Sequence, residues 1–289
     1  MGTVPQMSLG EFYRELRNSR LVKQKDVVRG DFTAAQLSRF ESGKSMLAAD
    51  KLIVAVEGIN MTMEEFTYKY HGYKEAPHIE LANLISDLYY QQDRDGLREL
   101  LESDLLKAEG ELYARLNGIV IKVALATLDG RTDFDEEDRK FLSDYLFAIE
   151  EWTMFEMRLF LNAQTLLNDR LLLNFIYELQ KKSDNYRRLF RHKDFYKKIL
   201  INTISELFDR KMYHFIDQFL SELTEVCEPY DALELLFLNF YQLCLNLVRD
   251  HQNEELQKKI EAYIASARVV SGDKLSDILA VRYYRLKQM

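Results

Sequence analysis

The chain has 289 residues, a formal net charge of −8 at pH 7, 47% hydrophobic residues and only 11 Gly and 3 Pro. So few helix breakers point to helices joined by short turns, with apolar content enough for a sizeable core. The acidic total argues against a nucleic-acid binder working by bulk charge, and the absence of an 18-residue apolar run or a signal-type segment argues against a membrane span or secretion. Met7 reads as a natural start, with Met1 to Gln6 as an added leader.

Five short helical segments come first. Residues 8–18, SLGEFYRELRN, place Leu9, Phe12, Tyr13 and Leu16 at helical spacing. QKDVV at 24–28 begins a second helix, and RGDF supplies a turn at Gly30. Thr33 suits an N-cap for a third helix, and Gly43 suits its end with a positive φ. Ala49 to Val56 and Thr62 to Phe66 make the fourth and fifth. Two short helices joined by a tight turn are a helix-turn-helix.

These residues carry a resemblance to the helix-turn-helix of phage repressors and their bacterial relatives. The matching positions are Gln24-Lys25-Asp26-Val27, Thr33, Leu37-Ser38, Phe40-Glu41 and Gly43-Lys44, over about 60 residues. A recognition helix offers its first residues to base edges in the major groove. From Thr33 the outward positions are Ala34, Ala35, Gln36 and Arg39, with Ser38 beside them, while Leu37 and Phe40 point inward. Arg39 can pair with guanine O6 and N7, and Gln36 with adenine N6 and N7. Gln24, Lys25, Lys44, Arg14 and Arg17 are placed for phosphates, which set register without reading sequence. Glu41 faces inward and braces the turn. The bland alternative is a small bundle with a scattered charged surface, in which Arg39 is only a solvated helix charge.

Residues 8–45 hold eight Lys and Arg against five acids, a net of +3. One such domain binds DNA weakly, so a dimer presenting two recognition helices is required. The expected organisation is a helix-turn-helix domain at 1–66, a polar linker at 67–76 with Gly72, and a helical-repeat domain at 77–289.

An internal repeat fills the rest. YARLNGIVI, RLFLNAQTL, KILINTISE and LLFLNFYQL each set Leu or Ile before an Asn: Asn117, Asn162, Asn202 and Asn239, spaced by 45, 40 and 37 residues. A period near 40 in an all-helical segment suits stacked helical hairpins forming a superhelix. Partner helices NDRLLLNFIYELQ, KMYHFIDQFLSEL and NEELQKKIEAYIA fall between, with Phe175 and Phe215 echoing the period. The expected fold is all-α: a five-helix helix-turn-helix domain followed by a tetratricopeptide-like superhelix. The last segment, KLSDILAVRYYRLKQM, can cap the final repeat or join a dimer interface through Ile278, Tyr283 and Leu286.

With the repeat in view the chain resembles the Rgg/MutR family of Gram-positive transcriptional regulators. LSRFESGKSMLAADKL, GINMTMEEF and EEWTMFEMRLFLN carry the resemblance, which spans nearly the whole length. It implies a cytoplasmic regulator binding double-stranded promoter DNA as a homodimer, within reach of RNA polymerase. It also implies control by a short hydrophobic signalling peptide held on the concave face of the repeat domain, as in quorum sensing. An Asn carries both donors and an acceptor, as a peptide backbone does, so a row of Asn can clamp an extended peptide. Asn162 and Asn202 lead, then Asn239, with Arg158 one turn before Asn162 to meet a carboxylate, and Trp152. Each Asn could instead bond a neighbouring backbone carbonyl, and Trp152 could be core. A protein partner or a small apolar molecule is the alternative ligand.

No HExxH, phosphate loop or GxSxG occurs, and none of the five His pairs with Cys or another His at metal-ligand spacing. No enzyme activity and no cofactor or metal is expected. DFDEEDRK at 133–140 lacks the spaced oxygens of a calcium loop and reads as an acidic helix start. Cys227 and Cys244 read as buried thiols of a reducing cytoplasm.

Overall fold

A computed structural model describes residues 7–28, 32–108, 110–131, 133–181 and 189–288. Residues 1–6, read above as an added leader, and Gly30, where a turn is expected, lie outside them. The protein is all-α, with no strand among the described residues. It divides into two compact units, Met1–Asn83 and Leu84–Met289. The division falls inside a helix, Pro77–Tyr90, whereas the sequence places a linker at 67–76.

The first unit holds α1 (Leu9–Ser19), α2 (Gln24–Val27), α3 (Ala34–Glu41), α4 (Ala49–Glu57), α5 (Met63–Tyr70) and the start of α6 (Pro77–Tyr90). Three helices begin with reciprocal capping boxes: Ser8 with Glu11, Thr33 with Gln36, and Thr62 with Glu65. Each satisfies two backbone donors that would otherwise lack partners, which starts short helices at defined residues. Gly43, at φ +67°, ends α3, and Lys44 N–H returns to Arg39 C=O at 2.8 Å. Tyr13, Val27, Phe32, Leu37, Phe40, Val56 and Phe66 form the core. The Tyr13 hydroxyl donates to Ala55 C=O at 2.9 Å, tying α1 to α4. Gly10 lets α1 pass close to the end of α3, for a Cβ there would stand 1.8 Å from Phe40 O.

The second unit continues with α7 (Arg94–Glu102), α8 (Asp104–Lys107), α9 (Glu111–Leu128), α10 (Glu136–Ala148), α11 (Met154–Ala163) and α12 (Asp169–Lys181). It ends with α13 (Phe190–Asp209), α14 (Ile216–Val226), α15 (Ala232–Arg249), α16 (Glu254–Ser271) and α17 (Asp273–Lys287). The helices α9, α11, α13, α15 and α17 stack on one another as an inner row, and α10, α12, α14 and α16 alternate with them. The period near 40 appears as direct bonds: Asn202 Nδ2 to Leu161 O, Thr203 Oγ1 to Gln164 Oε1, and Gln218 Nε2 to the Tyr177 hydroxyl. One echo is corrected. Phe215 lies half-buried in a 3-10 turn, and it is Phe219, fully buried, that meets Tyr177 at 5.9 Å between ring centres. The acidic run starts α10, with Asp135 Oδ1 accepting Glu137 N–H at 2.9 Å.

The C-terminal helix α17 caps the last repeat. Leu279 and Tyr283 are buried, while Ile278 of the expected apolar face is 42% exposed. Cys244 is buried, and Cys227 is only half-buried. Among the described residues no helix is long and apolar enough to cross a membrane.

Candidate functional site

The third helix is strictly two-sided. Leu37, Phe40 and Glu41 are buried, and Ala34, Ala35, Gln36, Ser38 and Arg39 are all exposed. The Arg39 guanidinium makes no hydrogen bond or ion pair among the described residues, and Arg14, Lys25 and Lys44 are also exposed. Thr33 is exposed but accepts Gln36 N–H at 3.2 Å, while Gln36 Oε1 accepts Thr33 N–H at 2.9 Å. Bidentate pairing of Gln36 with adenine needs that same carbonyl as an acceptor, so it competes with the cap.

Two phosphate assignments are corrected. Arg17 is 7% exposed, and its guanidinium holds Glu41 through two bonds, Nε to Oε1 at 2.6 Å and Nη2 to Oε2 at 2.7 Å. Its Nη1 donates to Val22 C=O at 2.7 Å. The hydrogen bond to Glu41 raises the Arg17 pKa further, so the guanidinium stays charged. Gln24 is half-buried, and its amide donates to Glu41 Oε2 at 2.7 Å. Both side chains are therefore spent inside the domain, bracing α1 and α2 against the end of α3. The residue that organises them is Glu41, which the sequence reading turned inward without assigning it a partner.

In the second unit Arg158 and Asn162 lie one turn apart on α11, with Phe195 and Asn202 on the neighbouring α13. Arg158 is half-buried and has no carboxylate partner among the described residues. Its guanidinium lies 5.7 Å from the centre of the Phe195 ring. Burial pulls its pKa below the usual arginine value, and no neighbouring acid opposes that shift. Lys198 approaches the same ring at 5.5 Å while pairing with Asp194 at 2.7 Å.

The Asn row is uneven. Asn162 is exposed with no bond among the described residues, and Asn239 is exposed beside the Tyr263 hydroxyl. Asn202 is half-buried and donates to Leu161 C=O at 3.3 Å. Asn117 is buried, and its Nδ2 has no hydrogen-bond partner among the described residues. Trp152 is corrected from ligand contact to core. It is 9% exposed, donates to Leu146 C=O at 3.3 Å and packs on Phe160 and Phe175 at 5.4 and 5.8 Å. Sequence reasoning missed Phe195, because a ring selected by its position against Arg158 has no signature in a chain with 17 Phe.

A helix-turn-helix unit followed by a helical-repeat unit defines a class of two-part bacterial regulators. The model of the HTH-type transcriptional regulator Rgg, C-terminal domain, matches residues 98–278, and the chain belongs to the Rgg family of transcriptional regulators. Solved structures share its fold. A proposed transcriptional regulator of Listeria monocytogenes EGD-e superposes with a TM-score of 0.79 at 20% identity, covering 98% of both chains. The Streptococcus dysgalactiae SHP pheromone receptor Rgg2 gives 0.73 at 19% identity, covering 96% of this chain and 99% of that one. PrgX in complex with iCF10 gives 0.69 at 10% identity, covering 96% of each.

Proposed function

We propose that the chain is a sequence-specific DNA-binding regulator of the cytoplasm, acting as a homodimer on promoter DNA beside RNA polymerase and switched by a short imported peptide. The observation that carries the reading is the sidedness of α3, with Arg39 exposed and uncommitted opposite a buried Leu37–Phe40 face. Arg39 reads guanine, Ala34 and Ala35 allow close approach, and Arg14, Lys25 and Lys44 hold phosphates. The candidate peptide site is Arg158, Asn162, Asn202 and Asn239, with Phe195 as an apolar wall. A half-buried guanidinium without a counter-charge is an open place for a carboxylate. The relatives named as a pheromone receptor and as PrgX with iCF10 support the peptide as ligand class.

The test uses the full-length chain and a library of fluorescent hydrophobic peptides with free C-termini, read by anisotropy. Arg158→Ala is expected to lower affinity about 10-fold or more, as loss of a charge-assisted pair does. Asn162→Ala with Asn202→Ala is expected to add to the loss. If no peptide binds, or if these variants bind as the parent does, the clamp is refuted and a protein or small apolar ligand takes its place.

A further inference from the structure

Two stretches of the chain, LFAIEEW at 146–152 and NFIYELQK at 174–181, mix aromatic and aliphatic side chains with carboxylates. The first closes α10. Ile149 leaves the helix with an extended backbone, ψ 110°, and the Trp152 indole N–H donates back to Leu146 C=O at 3.3 Å, which holds the turn before α11. The second is the C-terminal half of α12. These two outer helices belong to successive repeats. They meet at Phe147 and Phe175, 4.4 Å between ring centres, and a groove of about 820 Å³ opens beside that contact.

A groove of that size takes a small organic molecule, and its walls are aromatic. Phe147, Trp152, Phe175 and Tyr177 all line it. Trp152 lies 5.8 Å from Phe175, and the Tyr177 hydroxyl is held by Gln218 Nε2 at 2.6 Å, so the rings are positioned before any ligand arrives. Phe147 is 55% exposed despite its contact with Phe175, which leaves much of that ring for an occupant. Charge then selects the occupant. The ionic groups of the lining are Glu150, Glu178 and Lys181, two carboxylates against one ammonium. Lys181 pairs with Glu178 at 2.5 Å, so the surplus negative charge sits at Glu150. Exposed Asp144 stands one turn before Phe147 on α10, and exposed Glu151 follows Glu150, both adding to it. Aromatic faces are themselves electron-rich and attract cations. An anion of the same shape is opposed by both features.

We propose that the groove between α10 and α12 binds an aromatic organic cation, with Phe147, Trp152 and Phe175 against its apolar body and Glu150 beside its charge. The site shares no residue with the candidate peptide site, where Arg158 presents the opposite charge. It rests on neither the peptide nor the DNA reading. Because the groove spans two repeats, its occupant also stabilises their junction.

The test titrates the full-length chain with tetraphenylphosphonium and, separately, with tetraphenylborate, an anion of the same tetrahedral aryl shape. Calorimetry reads affinity. Trp152 is the single Trp of the chain, so its emission reports occupancy of this groove. The cation is expected to bind saturably and to change that emission, and the anion to bind about 10-fold more weakly or worse. Phe147→Ala removes an aromatic wall and is expected to weaken the cation about 10-fold. Glu150→Gln keeps the aromatic walls and removes only the charge. It is expected to weaken the cation about 3-fold and to narrow its advantage over the anion. Both positions are exposed, and circular dichroism checks that the variants keep the parent's fold. Absence of saturable binding, unchanged Trp152 emission, an anion bound as tightly as the cation, or folded variants that bind as the parent does each overturns the proposal. No peptide or DNA is present, so these outcomes leave the regulator reading to its own tests.

Discussion

Arg17 shows how far a single residue can depart from its sequence reading. It shares α1 with the exposed Arg14, and nothing local distinguishes the two. Its role is set by Glu41, which lies 24 positions away. Removing one member of a buried pair leaves the other charge uncompensated, so Arg17→Ala is expected to cost about 3–5 kcal/mol in urea unfolding, whereas Arg17→Met with Glu41→Leu recovers most of it. The burial of Glu41, by contrast, follows from helix periodicity and was legible. Gly10→Ala is expected to lower the melting temperature sharply, since the new Cβ meets the Phe40 carbonyl and backbone must move. Glu156 is buried, and burial alone would raise its pKa. Hydrogen bonds from Thr153 and Tyr145 outweigh that and hold it below the ordinary 4.5. A carboxyl depressed by folding adds stability that is full above pH 4.5 and is lost as pH falls through its folded value. The penalty of Glu156→Gln in thermal melts is therefore expected to be largest near neutrality and to shrink in acid; a penalty independent of pH would contradict this. Burial also pushes the Cys227 thiol up to about 11 and Cys244 up to about 12.

At the scale of elements, starts were more legible than ends. Thr33 caps its helix as read, and the fifth helix starts at Thr62 as read, because in both a capping box is written within four residues. The fifth helix runs on to Tyr70, past the expected Phe66, since Phe12 packs on both Phe66 and Tyr70, and that tertiary contact is invisible locally. The repeat period was legible, but which aromatic fills the equivalent place was not, as Phe215 and Phe219 show. Arg210 joins elements across repeats, donating to Leu167 and Gln164 carbonyls at 2.8 and 3.1 Å while pairing with Asp169 and Glu206. Arg210→Lys keeps the charge but loses the fork, so it is expected to speed amide exchange in the α11–α12 turn nearly as much as Arg210→Ala. Full protection in the lysine variant would show that charge alone suffices.

For the whole molecule, the scarcity of Gly and Pro pointed to an all-helical chain, and the residue patterns of the first 60 positions and of the repeat pointed to the family that the match over 98–278 shows. The division inside Pro77–Tyr90 was not legible, because the helix is continuous in sequence and only long-range contacts separate the units. The acidic total of −8 also obscures a first unit whose outward helix presents an exposed Arg39 with no ion pair among the described residues. The most direct test selects a duplex from a random pool with the full-length protein. Anisotropy is then measured for the parent and Arg39→Ala against the selected site and against variants with each guanine replaced. The parent should discriminate at one guanine by about 1–3 kcal/mol, and Arg39→Ala should lose that discrimination while still binding DNA in a salt-dependent way. Undiminished selectivity in Arg39→Ala would show that α3 does not read the groove through this residue.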